Sequence, residues 1–335
     1  FSTLGDSLYN FSDVESAFAN FLFILSDVIF KFSTSKIIIS CSGKVIVNSF
    51  VIQQSDEYLE DVDRMYGIGA AFDTAGSRFA CSLMMIAFLF TKTIRGFYNS
   101  KLIAIYSVLF LWIGVVGNMV ARTTIAGVVI AIIFIIADTG VYKFSIGRSY
   151  LKGFRVFFLV ILCATPLLLI LGNIPVVEKL FRFAFEIFYS YADSGEFQTG
   201  STDVLLEMWR HYPKDFKTWI IGDGYFISPY ITNPYYVGNH DYIYYMGVDV
   251  GYLRFIYYFG LIGLLCFVCY MFVAAKECMN NNPQYKALFI MLLIMNYVLW
   301  AKVATDLFCV FALFLMLDPS IQEEEPNTNL TTVEQ

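Results

Sequence analysis

Tyr252-Leu-Arg-Phe-Ile-Tyr-Tyr-Phe-Gly-Leu-Ile-Gly-Leu-Leu-Cys-Phe-Val-Cys-Tyr-Met-Phe-Val-Ala274 carries a single charge, at Arg254, in a run otherwise made of apolar, aromatic and glycine residues. A helix of about 20 such residues crosses the roughly 30 Å hydrocarbon layer of a bilayer, so this stretch reads as a membrane span. The composition agrees. Hydrophobic residues make up 58% of the 335-residue chain and charged residues 15%, with a mean hydropathy of +0.64, far from a soluble domain.

Working outward, further spans are expected at Phe79–Phe90, Leu102–Gly117, Thr124–Ala137, Phe154–Leu171, Ala287–Trp300 and Val303–Leu317. Several are shorter than a full crossing and must extend into their flanks. The connections at 91–101 (Lys92, Arg95, Lys101) and 137–155 (Lys143, Arg148, Lys152, Arg155) are basic, which assigns them to the cytoplasm. The long connection 172–250 then falls on the outer side. It holds five Lys/Arg against ten Asp/Glu, a bias opposite to that of the inner loops. Connections beyond about 15 residues are functional or disordered, and its aromatic richness argues for a folded, partly helical lid.

The expected class is an all-α polytopic membrane protein, a helical bundle with a large outer, periplasmic loop. Its regions are 1–78 (spans or an interfacial helix plus an outer loop), 79–171 (transmembrane helices), 172–250 (the large loop), 251–318 (transmembrane helices) and 319–335 (a disordered cytoplasmic tail rich in Glu323, Glu324 and Glu325). The chain begins with Phe1 and shows no signal-peptide pattern, so we expect the parent protein to extend further at this end.

Several patterns carry no chemistry. Cys266-x-x-Cys269 lacks a second pair or a nearby His. Gly222-Asp-Gly224 lacks the third glycine and βαβ context of a dinucleotide site and reads as a tight turn. Glu60 to Asp63 is an acidic pair of a solvated loop, so no metal is expected. A net charge of −6 without a basic tract excludes nucleic acid as a partner.

The informative groups lie at the edges of the spans, where ionisable residues are costly to keep. Gly117-Asn-Met-Val-Ala-Arg122-Thr-Thr is a tight outer turn bearing an Arg. The long loop carries Gly222-Asp-Gly224, His240-Asp241, and then Asp249-Val-Gly-Tyr-Leu-Arg254 leading to Phe259-Gly-Leu-Ile-Gly263. This layout resembles the bacterial O-antigen polymerase and O-antigen ligase superfamily of inner-membrane glycosyltransferases, over roughly 64–317.

The resemblance implies a multi-pass protein of the bacterial inner membrane that uses a polyprenyl-diphosphate-linked oligosaccharide at the outer leaflet. It implies polymerisation of O-antigen or capsule repeat units, with ligation of the glycan to a lipid or protein acceptor as the alternative and a flippase as a third. Membrane lipids, a chain-length regulator and a flippase of the same pathway would be its partners, with no cofactor. A leaving diphosphate calls for guanidinium groups, and Arg122, Arg254 and Arg210 are the candidates, with Arg182 a further one. An acceptor hydroxyl calls for a base. The family's His-Asn-type motif assigns that role to His240, and Asp241, where Asn is usual, either orients the imidazole or is itself the base. Asp249, Tyr242, Tyr252, Gly222 and Gly224 complete the expected substrate site. Tyr225, Tyr230, Tyr235, Tyr236, Tyr242, Tyr244 and Tyr245 either cover sugar faces or form an interfacial aromatic belt.

Overall fold

A computed structural model of the protein describes residues 72–96, 98–140, 148–195, 199–232, 235, 244–305 and 307–315. The described residues are mostly helical, with no strand among them and one isolated antiparallel bridge between Ile227 and Tyr244. They fall into two compact units, one ending at Thr202 and one beginning at Asp203.

In the first unit α1 (Phe72–Arg95), α2 (Ser100–Val120), α3 (Thr124–Thr139) and α4 (Arg148–Gly172) are followed by the short α5 (Pro175–Ala184) and α6 (Glu186–Ser194). Helix α1 is the axis of the bundle, packed on α2, α3 and α4. Leu83, Met84, Ile86, Ala87 and Phe90 along it are all buried. Small residues permit the approach. A Cβ built on Gly127 of α3 would lie 2.5 Å from the Cα of Ala80, and one on Gly117 of α2 would lie 2.7 Å from Thr124 Cγ2. Close backbone contact of this kind drives helix association where lipid is as apolar as the side chains. Two buried hydroxyls are satisfied within their own helices: Ser82 Oγ donates to Arg78 O at 2.9 Å and Ser107 Oγ to Ile103 O at 2.7 Å.

The opposite faces of these helices are bare. Val108 and Trp112 of α2, Val129 and Ile133 of α3, and Phe158 and Leu162 of α4 are exposed, and only 6% of the apolar window of α4 is buried. In water such a surface would be an aggregation site; against lipid it costs nothing. Among the described residues four helices are long and apolar enough to cross a membrane, namely Asp73–Arg95, Ser100–Val120, Ser149–Pro166 and Gly251–Asn281, with Thr124–Thr139 a shorter apolar one. This marks a membrane protein.

The second unit contains most of α7 (Gly200–Arg210), then α8 (Phe216–Ile221), α9 (Pro229–Thr232), α10 (Gly251–Asn281), α11 (Lys286–Trp300) and α12 (Cys309–Leu315). The aromatic rings of Tyr252, Phe255, Phe267 and Tyr297 surround Trp300 and hold α10 to α11. Gly251 lets the start of α10 press on the Trp300 backbone, where a Cβ would meet the carbonyl oxygen at 2.9 Å.

Two boundaries differ from the sequence reading. The helix expected from Phe79 starts at Phe72, so the end of the expected polar loop belongs to α1. The span expected over Val303–Leu317 is helical only from Cys309. Asn296 of α11 accepts the Leu307 N–H at 2.8 Å, and the Trp300 indole donates to Thr305 O at 3.1 Å. Side chains thus take the backbone groups that an earlier helical start would have used.

The glycine contacts make a paired prediction. Gly127→Ala drives a methyl into the α1 backbone and should lower stability by about 1–3 kcal/mol, the usual cost of overpacking. Gly114→Ala, whose Cβ would meet only Val128 Cγ2 at 3.8 Å, should leave the thermal midpoint of the detergent-solubilised protein unchanged or slightly raised.

Candidate functional site

Helix α10 is not continuous. Gly260 has φ 69° and ψ −176°, a conformation closed to residues with a Cβ, and it breaks the helix inside its apolar run. The break cancels the bond that Tyr257 O would have accepted one turn on. The end of α8 makes good the loss: Gly222 adopts φ 72°, ψ −177° and places the following Asp223 N–H against Tyr257 O at 2.6 Å. The fit leaves no room for a side chain on either strand of the contact. A Cβ on Gly222 would meet Tyr258 O at 2.6 Å, and one on Gly260 would overlap the Ile220 carbonyl.

The Asp223 carboxylate is fixed in turn by Thr218 Oγ1, which donates to Oδ1 at 2.9 Å, and by the Tyr245 hydroxyl, which donates to Oδ2 at 3.4 Å. Lys217 Nζ lies 3.9 Å from Oδ1. Beneath this turn Val248, Val250, Leu253, Ile256 and Tyr257 form an apolar cluster, with Leu205, Met208 and Trp219 packed on it. The Tyr257 hydroxyl donates to His211 O at 3.0 Å, and the Trp219 indole to Pro213 O at 2.7 Å. The first of these bonds ties the end of α7 to the first half of α10, and the second fixes α8 to the segment before it.

On that half, one turn from its start, sits Arg254. Its side chain is 8% exposed, and its guanidinium lies between two rings, with Cζ 3.8 Å from the centroid of Phe226 and 4.1 Å from that of Tyr244. Nη1 donates to Asp249 Oδ1 at 2.9 Å. Nε is buried with no hydrogen-bond partner among the described residues. Desolvated cation–π contacts contribute about 2 kcal/mol each, which helps offset the cost of holding a charge out of water. The N-cap of α10, Val250, offers no side-chain cap, so the positive end of the helix faces the same region.

The expected site residues therefore separate. Arg254 and Asp249 come together. Gly222 and Gly224 supply the turn that docks on α10, and Gly222 is buried in that contact. Tyr252 is engaged by α11, its hydroxyl donating to Tyr297 O at 2.8 Å. Arg210 ends α7 and is exposed. Of the tyrosines, Tyr225 meets Tyr245 at a tilt with centroids 5.3 Å apart and Tyr245 meets Tyr257 edge to face at 5.5 Å, while Tyr235 is 87% exposed. His240, Asp241, Tyr236 and Tyr242 lie outside the described residues. Among the described residues no group of three His, Cys, Asp or Glu is arranged to hold a metal.

Arg122, in the first unit, follows α2 in the turn to α3. It bonds through Nη1 to Glu186 Oε2, and its Cζ lies 4.6 Å from the Phe183 ring centroid. Glu186 also accepts the Gly200 N–H through Oε1 at 3.3 Å. The sequence reading missed Phe226, Phe183, Glu186 and the break at Gly260. Phe183 and Glu186 stand three apart, a helical spacing, but the turn at Phe185 that separates α5 from α6 has no strong breaker to announce it. Comparison of the chain with protein families, with curated proteins and with solved structures gives no match.

The docking contact is testable. Gly260→Ala should cost about 1–3 kcal/mol through backbone strain alone, and more through its overlap with Ile220. Undocking of α8 should then speed tryptic cleavage at the exposed Lys214 and Lys217. Gly224→Ala, with φ +79° but open space around the built Cβ, should suffer strain without undocking, so its cleavage rate should stay that of wild type.

Proposed function

We propose that this chain is a membrane glycosyltransferase that lengthens a surface polysaccharide, using a polyprenyl-diphosphate-linked donor at the outer face of a bacterial inner membrane. The observation that carries the reading is Arg254: a guanidinium buried at the mouth of a membrane-length helix, held between two rings, with Nε–H lacking a partner among the described residues. A buried donor without an acceptor costs about 1–3 kcal/mol, and a bound diphosphate oxygen would recover it. The rings fix the plane of the fork, and the uncapped start of α10 adds its dipole to the same field.

The reaction follows from these groups. The acceptor hydroxyl oxygen bonds to the anomeric carbon as the bond from that carbon to the diphosphate oxygen breaks. The electron pair leaves on the diphosphate, where Arg254 would stabilise it. The hydroxyl proton passes to His240 or Asp241. Asp249 holds Arg254 in place until the anion arrives. Polymerisation is preferred to ligation because Asp249-Val-Gly-Tyr-Leu-Arg254 looks more like the polymerase branch of the superfamily this layout resembles.

One observation favours a different class. A membrane helix broken at Gly260 is a device of transporters, which place substrate against the freed backbone groups. Here Asp223 already takes the Tyr257 carbonyl, which leaves that group no acceptor capacity in demand.

The experiment is surface-glycan length in a strain lacking the gene, complemented at matched membrane abundance with wild type, Arg254→Lys or Arg254→Ala. Wild type should restore long chains. Lysine keeps the charge but loses the planar fork and the stacking, so chain extension should fall about tenfold or more, and alanine should leave single repeat units. Long chains left unattached to their acceptor would make the protein a ligase. Lipid-linked units trapped on the inner leaflet would make it a flippase, and normal glycan in both variants would remove Arg254 from the site.

A further inference from the structure

The first unit contains a cavity of about 160 Å³ among α1, α2, α3 and α4, walled by residues that include Ile86, Phe90, Tyr106, Phe110, Ile135 and Phe157. Its lining is apolar. The Ser107 hydroxyl is turned away to its own helix, donating to Ile103 O. An apolar cavity of about this size, roughly 150 Å³, stays dry and takes up a small hydrocarbon. Ile132 and Ile136 line it and are also exposed on the outer face of α3, so the cavity communicates with the surface that faces lipid.

The end of the bundle beside this cavity is cationic. Because α1 and α2 run in opposite directions, Arg95 and Lys101 lie at one end, and Arg95 gathers the others there. It bonds to Tyr150 Oη of α4 at 2.7 Å and pairs with Asp138 of α3 at 2.7 Å. Lys92, Lys152 and Arg155 belong to the same end, with Lys152 Nζ 6.0 Å from the centroid of the Tyr98 ring. Asp138 is the acidic residue at this end among the described residues, and Arg95 neutralises it. The cavity residues on α1 precede Arg95 by five to nine positions, or roughly 8–14 Å along the axis. Lys101 likewise precedes the α2 cavity residues by five to nine positions, while Lys152 and Arg155 flank the lining residue Phe154 on α4, so cations stand both above and beside one end of the apolar slot.

We propose that this end of the bundle binds an anionic phospholipid of the surrounding leaflet, with one acyl chain entering the cavity between α3 and its neighbours and the phosphate on Lys101, Lys152 and Arg155. Zwitterionic lipid of the same chain length fills the slot equally well but gains no net charge attraction from the rim. Basic groups between membrane helices select lipid headgroups on this basis. The site does not depend on the proposed glycosyl transfer.

The test uses the full chain in nanodiscs of equal phosphatidylglycerol and phosphatidylcholine with identical acyl chains, one of them carrying a photoactivatable group near its end. Native mass spectrometry after release into mild detergent should find phosphatidylglycerol retained over phosphatidylcholine by about tenfold, a discounted value for three cations each contributing about fivefold. The exposed triple variant Lys101→Gln/Lys152→Gln/Arg155→Gln should bring that ratio close to one. Photolysis of the wild-type complex should label peptides of α1, α2 and α4 that wall the cavity, and Ala87→Phe should suppress the label. A wild-type ratio near one, a preference that survives the triple variant, or label confined to the outer faces of the helices would each overturn the proposal. If Ala87→Phe does not yield folded protein, the wild-type labelling pattern and the charge variant decide the question without it.

Discussion

A backbone carbonyl inside an apolar layer must have a donor, and the second unit is organised around one such requirement. The break at Gly260 takes away the intrahelical partner of Tyr257 O, and the Asp223 N–H replaces it. That replacement demands an approach of two backbones that only glycine permits, on both sides. Once α8 is held there, the positions of Asp223, Tyr245 and the apolar cluster around Val250 follow, and with them the orientation of the first half of α10. Arg254 points where it does because this half has its own direction, set by the loop instead of by the rest of the helix.

The two arginines that the sequence singles out are treated differently. Arg122 rests on Phe183 and meets a carboxylate, Glu186, that also holds the start of α7. Its charge is used to join segments of one unit. Arg254 meets Asp249 through one nitrogen and two aromatic faces, and keeps a buried donor without a partner among the described residues. Removing one member of a buried pair costs about 3–5 kcal/mol because the other charge is left uncompensated. For that reason Asp249 is structurally indispensable whether or not Arg254 ever meets a substrate.

Hydropathy made the helices legible. The cores of six expected spans lie within helices of the structure, because a long apolar run has few alternatives in lipid. Their ends were less legible, since they depend on single polar side chains such as Asn296, whose capture of Leu307 N–H delays α12. The break in α10 could not be read at all. Gly260-Leu-Ile-Gly263 is ordinary sequence for a membrane helix, and the positive φ is imposed by a partner nearly forty positions earlier. Conversely, Gly222-Asp-Gly224 was legible as a turn but not as one with a particular place to dock. Within the candidate site, charge at the membrane edge pointed to Arg254 and Asp249. The rings that confine the guanidinium, Phe226 and Tyr244, were hidden among many aromatic residues equally suited to an interface.

The order of synthesis gives the glycine contact a further meaning. Gly222 leaves the ribosome before Gly260, and its turn has nothing to grip until residues 257–260 exist. Until docking, breaking the helix at Gly260 would leave Tyr257 O unbonded in hydrocarbon, at a cost of several kcal/mol. The break and the docked turn are therefore two halves of one event, since a break without the turn strands a carbonyl and the turn without the break has no carbonyl to bond.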